Sequence, residues 1–160
     1  KDTDIEAITK VTKAAFKNVS VSNQTEHFII KALRKADALS ISLVAEFNSQ
    51  VVGHIAFSPI SISDGTKDWY ALGPLAVLPR YQRRGIGTKL INRGLALLKK
   101  IGAQGCALVG DPNYYNRFGF NNYPELIHEG VPQEVFLCLS FSDKIPQGNV
   151  VFHKGFKASD

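Results

Sequence analysis

The stretch Leu75-Ala76-Val77-Leu78-Pro79-Arg80-Tyr81-Gln82-Arg83-Arg84-Gly85-Ile86-Gly87-Thr88 joins the end of a strand, a tight basic loop and the start of a helix. Apolar residues run up to Leu78, and Pro79, which has no amide for a ladder, ends the strand. Helical spacing then begins at the paired glycines Gly85 and Gly87. The first amides of a helix have no internal acceptors, and the macrodipole adds partial positive charge there. Glycines let a ligand approach that backbone closely, so the loop reads as a cradle for phosphate or pyrophosphate. Arg83 and Arg84 strengthen the field and are placed to bond phosphate oxygens.

Outward from this loop, the order of elements is that of an α+β fold. Residues 4–16 and 24–35 carry helical spacing, with Thr3 or Asp4 and then Asn23 as caps. In the second helix Phe28, Ile29, Ala32 and Leu33 are expected inward. Residues 40–47 and 51–62 are β-rich and form a hairpin at Asn48-Ser49-Gln50. Asp64-Gly65 turns the chain into a third strand, 69–77, in which Gly73-Pro74 predicts a bulge. A long helix, 85–101, buries Ile86, Leu90, Gly94, Leu97 and Ile101 and stops at Gly102. A short strand at 106–109, a helical segment at 112–118 and closing strands at 134–141 and 150–152 complete a mixed, mostly antiparallel central sheet flanked by helices.

The composition agrees with one domain spanning residues 1–160: 44% hydrophobic and 21% charged, a usual globular mix. It excludes a disordered tail, a fibre and a disulfide-stapled miniprotein. No apolar run is long enough to span a bilayer as a helix, and no signal-peptide core is present, so a cytoplasmic setting is expected. The chain starts at Lys1 and has no Met, which points to leading residues ahead of it. Cys106 and Cys138 each sit in an apolar stretch and read as buried free thiols, with a disulfide between them as the alternative. The four histidines lack zinc spacing, so no metal is expected. The net charge of +5 concentrates around one loop and has no interleaved aromatic platform, which argues against nucleic acid.

Two familiar phosphate loops do not fit. A Walker A loop needs Lys and a hydroxyl in that order after its second glycine, and here Thr88-Lys89 follows. A dinucleotide fingerprint needs a third glycine where Leu90 stands. Gln82-Arg83-Arg84-Gly85-Ile86-Gly87 instead resembles Q/R-x-x-G-x-G/A, the acetyl-CoA pyrophosphate loop of the GNAT N-acetyltransferase superfamily. Tyr115-Asn116-Arg117-Phe118-Gly119-Phe120 resembles that superfamily's Y-x-x-x-G-F segment at its proper distance. Gly53-His54-Ile55-Ala56-Phe57-Ser58-Pro59 and Gly148-Asn149-Val150-Val151-Phe152 extend the likeness to its predicted-acetyltransferase branch, over about residues 4–156.

The resemblance implies acetyl-CoA as co-substrate, held in a cleft where strands 69–77 and 106–109 splay apart. The amides of Arg83, Arg84, Gly85, Ile86, Gly87 and Thr88 would grip the pyrophosphate, and the backbone of Leu75, Ala76 and Val77 would pair with the pantetheine arm. Tyr115 corresponds to the general acid that protonates the leaving thiolate, with aromatic packing as its bland alternative. Asn113 either caps the short helix or bonds the pantetheine.

One departure concerns the general base. Many members carry Glu on the bulged strand, whereas Tyr70-Ala71-Leu72-Gly73-Pro74 has no acid. Glu46, His54 and Asp111 are the substitutes considered. The implied reaction is direct transfer of acetyl to a primary amine of a small molecule or peptide. The competing expectation is a catalytically weak acyl-CoA-binding regulatory module. No nucleic acid or membrane partner is expected, and a homodimer is left open.

Overall fold

The computed structural model describes residues 1–20 and 22–160. Helices α1 (Ile5–Phe16) and α2 (Glu26–Lys35) precede strands β1 (Ile41–Phe47), β2 (Gln50–Ile62) and β3 (Trp69–Val77). Helix α3 (Ile86–Lys100), strand β4 (Gly105–Val109) and the one-turn α4 (Pro112–Tyr115) follow. Strands β5 (Leu126–Ile127), β6 (Phe136–Ser140) and β7 (Gly148–Phe152) close the chain.

The sheet has seven strands in the order β5-β7-β2-β3-β4-β6, with β1 also paired to β2. The long strand β2 serves two partners on one edge: residues 50–57 pair with β1 and residues 60–62 with β7. Asn48 and Ser49 have φ of 51° and 64°, the paired left-handed values that a two-residue hairpin turn requires. Most pairings are antiparallel; β3–β4 and β5–β7 are parallel. The sheet is therefore mixed and mostly antiparallel, and the α+β architecture expected from the sequence is the one observed.

Along β2, alternate residues face opposite layers. Phe57 lies against Gly94 of α3, in close contact with the space a side chain would need, and Gly53 faces Ile86 and Leu90. His54, Ala56 and Ser58 point to the other layer, where α1 and α2 pack. The main core joins Ile55, Phe57, Leu90, Ile91, Leu98 and Leu137; a second cluster surrounds Trp69, Leu126, Phe136 and Val150.

Three expectations shift. The buried face of α3 is Leu90, Ile91, Gly94, Leu95 and Leu98, whereas Ile101 is the C-cap and 54% exposed. Helix α2 starts at Glu26 because Gln24 has a φ of 62°, so Thr25 is the N-cap residue, and Ile30 and Leu33 are its buried pair. Strand β5 was not anticipated; two residues carry no readable period. Cys106 and Cys138 are free and buried on neighbouring strands.

Candidate functional site

β3 and β4 pair only over Trp69–Ala71 and Gly105–Ala107. Beyond that point β4 follows β6, while β3 continues along β2 to Val77 with its other edge unpaired. The β2–β3 register steps from Phe57↔Leu72 to Ile55↔Leu75, so β3 carries one extra residue at Gly73-Pro74. That is the anticipated bulge, and it turns the free edge of β3 into a gap.

Which peptide groups face the gap follows from antiparallel alternation. The Leu78 amide donates to Val52 oxygen at 2.8 Å, so Ala76, two residues earlier, also bonds β2, opposite His54. Leu75 and Val77 therefore aim their peptide groups into the gap. The Val77 carbonyl accepts from Gln82 Nε2 at 2.9 Å, which leaves both groups of Leu75 and the Val77 amide without partners there among the described residues. Ala76 is a correction: its main chain belongs to the β2 ladder, and only its neighbours offer groups to an arm in the gap.

A cavity of about 580 Å³ opens at the start of α3, lined by Leu75, Val77, Arg83, Gly87, Thr88 and Tyr114, among others. Gly85 caps the helix at φ 83°. The amides of Gly85, Ile86, Gly87 and Thr88 donate to no acceptor among the described residues, as expected of a first helical turn. A Cβ on Gly87 would stand 2.9 Å from the Tyr114 hydroxyl, so this corner is tight as well as electropositive. Arg83 lines the cavity, whereas Arg84 turns away: its guanidinium lies 5.5 Å from the Tyr81 ring centroid, on the groove toward β1. Arg117, which the sequence reading passed over, takes the second cationic place; its Nε donates to the Tyr114 carbonyl oxygen at 2.9 Å and its guanidinium lies over the Tyr114 ring.

On the other side of Leu75 lies a cavity of about 840 Å³, which Leu75 also lines. Its walls include Tyr115 from α4, Glu26 and Ile29 from α2, His128 and Glu129 after β5, and Phe152 on β7. The Tyr115 ring lies across Gly110, where a Cβ would come within 2.6 Å of Cε2, and packs edge-on to Phe120. Burial pushes the Tyr115 hydroxyl above its ordinary value, with Tyr114 and Cys106 adding to the shift. It therefore stays protonated at neutral pH and is a proton or hydrogen-bond donor. Asn113 is exposed and lines neither cavity; the α4 cap is Asp111, whose Oδ1 accepts from the Asn113 amide at 2.9 Å.

None of the three substitute bases lines the Tyr115 cavity. Asp111 is committed to its cap. Glu46 lies in the groove beside β1. His54 is fully buried in the layer where the N-terminal helices pack, with Nε2 at 2.7 Å from Ser42 Oγ. Desolvation, aided by the Arg34 charge, lowers its pKa to about 4. Glu26 accepts from Ser22 Oγ at 2.7 Å and, with Glu129, supplies negative charge to the large cavity. No group of three or more acidic, His or Cys side chains suited to a metal occurs among the described residues.

A splayed mixed sheet with a glycine-opened helix at the gap defines a class of fold, and comparison with known proteins names it. The sequence pattern of the acetyltransferase (GNAT) family matches residues 6–120, and the chain belongs to that family. A GNAT family acetyltransferase from Brucella melitensis, crystallised with acetyl-CoA, is 50% identical at a TM-score of 0.87, covering 98% of this chain and 94% of that one. The Escherichia coli N-acetyltransferase YhbS, crystallised with CoA, superposes at 0.89 with 27% identity, covering 99% and 89%. Within its sequence, described as an uncharacterized N-acetyltransferase, a matching segment of 102 residues is 34% identical. That segment spans 63% of this chain and 61% of the relative, so the match covers about three fifths of the curated protein. No helix among the described residues is long and apolar enough to cross a membrane.

Proposed function

We propose that this chain is an acetyl-CoA-dependent N-acetyltransferase that moves acetyl directly to a primary amine. One observation carries the reading: the amides of Gly85 to Thr88, without acceptors among the described residues, open on a cavity that shares Leu75 with the Tyr115 cavity, along the free edge of β3. The residues fit the coenzyme. A diphosphate would take the amides of Gly85 to Thr88, with Arg83 and Arg117 beside it. An amide-bearing arm would add to β3 at Leu75 and Val77, as a strand would. The bound co-substrate supplies a thioester, and an unpartnered Leu75 or Val77 amide is suited to stabilise charge on its carbonyl oxygen. Tyr115 would then donate to the departing sulfur. The acetyl-CoA complex of the Brucella melitensis relative supports the choice of ligand.

The acceptor half combines apolar walls, Ile29, Phe152 and Phe156, with the carboxylates Glu26 and Glu129. That pairing suits an amine carried on an apolar body. The test is thiol release from acetyl-CoA across arylalkylamines, polyamines and lysine peptides, corrected for hydrolysis and confirmed by mass of the amide. Acetylated product above background is the expected result. Binding of acetyl-CoA with no product from any amine would overturn transfer and favour a regulatory binding module.

A further inference from the structure

The larger cavity is lined by a histidine, His128, that the sequence does not single out. His128 Nδ1 lies 2.9 Å from the carbonyl oxygen of Val150. A carbonyl only accepts, so Nδ1 carries the hydrogen and the neutral ring has its lone pair on Nε2. Nε2 makes no hydrogen bond among the described residues, and it is not one of the buried unpartnered atoms. The ring lines the cavity that holds Tyr115. Its plane is fixed by stacking on Phe152, with centroids 4.4 Å apart and planes 18° apart, and by Phe136 at 5.3 Å. Stacking alone would be served equally by a phenyl ring; it does not account for an oriented imidazole with one nitrogen anchored and the other free.

The second histidine of the cavity is oriented the opposite way. His153 Nδ1 accepts from the Gly155 amide at 2.9 Å, so its neutral ring carries the hydrogen on Nε2. One backbone carbonyl and one backbone amide thus give two histidines opposite tautomers, and only His128 has a free basic nitrogen.

On the reading that the chain transfers acetyl to an amine, we infer that His128 is the general base for the acceptor. The neutral amine attacks the thioester carbonyl carbon, forming the C–N bond while His128 Nε2 takes one N–H proton. The C–S bond breaks as the carbonyl re-forms, and the sulfur receives the proton of Tyr115. Transfer of a proton from His128 to Tyr115 through solvent restores both groups, so amine plus thioester gives amide plus thiol with nothing left over. Other titratable groups facing the cavity are Glu26 from α2, Glu129 beside His128, and His153 and Lys157 from the C-terminal segment.

Two measurements decide this. Nitrogen-15 correlation spectra of the imidazoles are expected to show His128 protonated at Nδ1 and His153 at Nε2; an Nε2-protonated His128 overturns the assignment. His128→Asn retains a donor near the Val150 carbonyl without the base, and His128→Phe retains the stacking. With the best amine of the panel, both are expected to lose roughly 10²-fold in kcat, with KM for acetyl-CoA unchanged. An acid limb of the kcat profile should be absent from both variants. Variants that lose stability yet keep that limb would make His128 a packing residue and overturn the proposal while transfer stands. If the wild type acetylates no amine, the transferase reading fails, and this role fails with it.

Discussion

The two cavities either side of Leu75 are built from different material. The corner at the start of α3 is main chain: consecutive amides of one short loop, supplemented by Arg83 and Arg117. The acceptor side is side chain: carboxylates, imidazoles, a phenol and aromatic rings from α2, α4, the loop after β5, β7 and the C-terminal segment. Amides are present whatever the side chain, so the first half tolerates substitution except where bulk or negative charge enters the cradle. The second half has no such redundancy, and each substitution there alters charge, shape or proton traffic. On the proposed assignment, donor recognition is the robust half of the site and acceptor recognition the tunable one.

The contrast is sharpest for Gly87→Glu. It adds a side chain where even a Cβ stands 2.9 Å from the Tyr114 hydroxyl, and it adds a carboxylate beside a bound diphosphate. Losing two charge-assisted hydrogen bonds would weaken acetyl-CoA binding roughly 100-fold or more, read as disappearance of the coenzyme-induced thermal shift. A shift that persists at wild-type size would move the cradle elsewhere. Tyr115→Phe tests the other half: turnover should fall about 10- to 100-fold with coenzyme affinity kept, measured by steady-state kinetics beside calorimetry. Equal losses in both would show that the halves are not separable, and unchanged turnover would remove the phenol from the chemistry.

The smallest effect on the reaction, and a control for both halves, comes from His54 beneath the sheet. Its folded pKa of about 4 lies below the ordinary 6.5, so between those values the unfolded chain binds a proton that the folded chain refuses. Stability is fully present above about pH 6.5 and is lost as pH falls toward 4, by about 2–3 kcal/mol. Urea midpoints across that window should show the slope in the wild type and a flatter one in His54→Gln. An unchanged slope in the variant would assign the acid sensitivity to other groups.

What the sequence made legible was local. The α3 loop, the hairpin turn and the Gly73-Pro74 bulge are each written in adjacent residues, and each emerged where expected. The alternation that withdraws Ala76 from the gap depends on β2, more than twenty positions earlier, and the loop alone does not encode it. His128 is anchored by a carbonyl 22 residues away, through a two-residue strand with no period of its own. The face of α3 holds at Leu97, which packs against the core, and fails at Ile101, because an apolar residue at a helix end satisfies the spacing without reaching the core. His54 is polar and β-placed in sequence, yet it is buried in the layer where α1 packs on β2, far along the chain from it.

The thirteen residues of β2 act as one girder for both workshops. Gly53 to Ile55 hold the part of β3 that edges the diphosphate corner, and Ile60 to Ile62 hold β7, whose Val150 anchors the imidazole. The span between the two cavities, across which the proposed transfer would run, is therefore gauged by strand length, about 3.3 Å for each residue. A single inserted residue between Phe57 and Ile60 would both lengthen that span and turn every later side chain to the opposite layer, dismantling the handover without touching a reacting group.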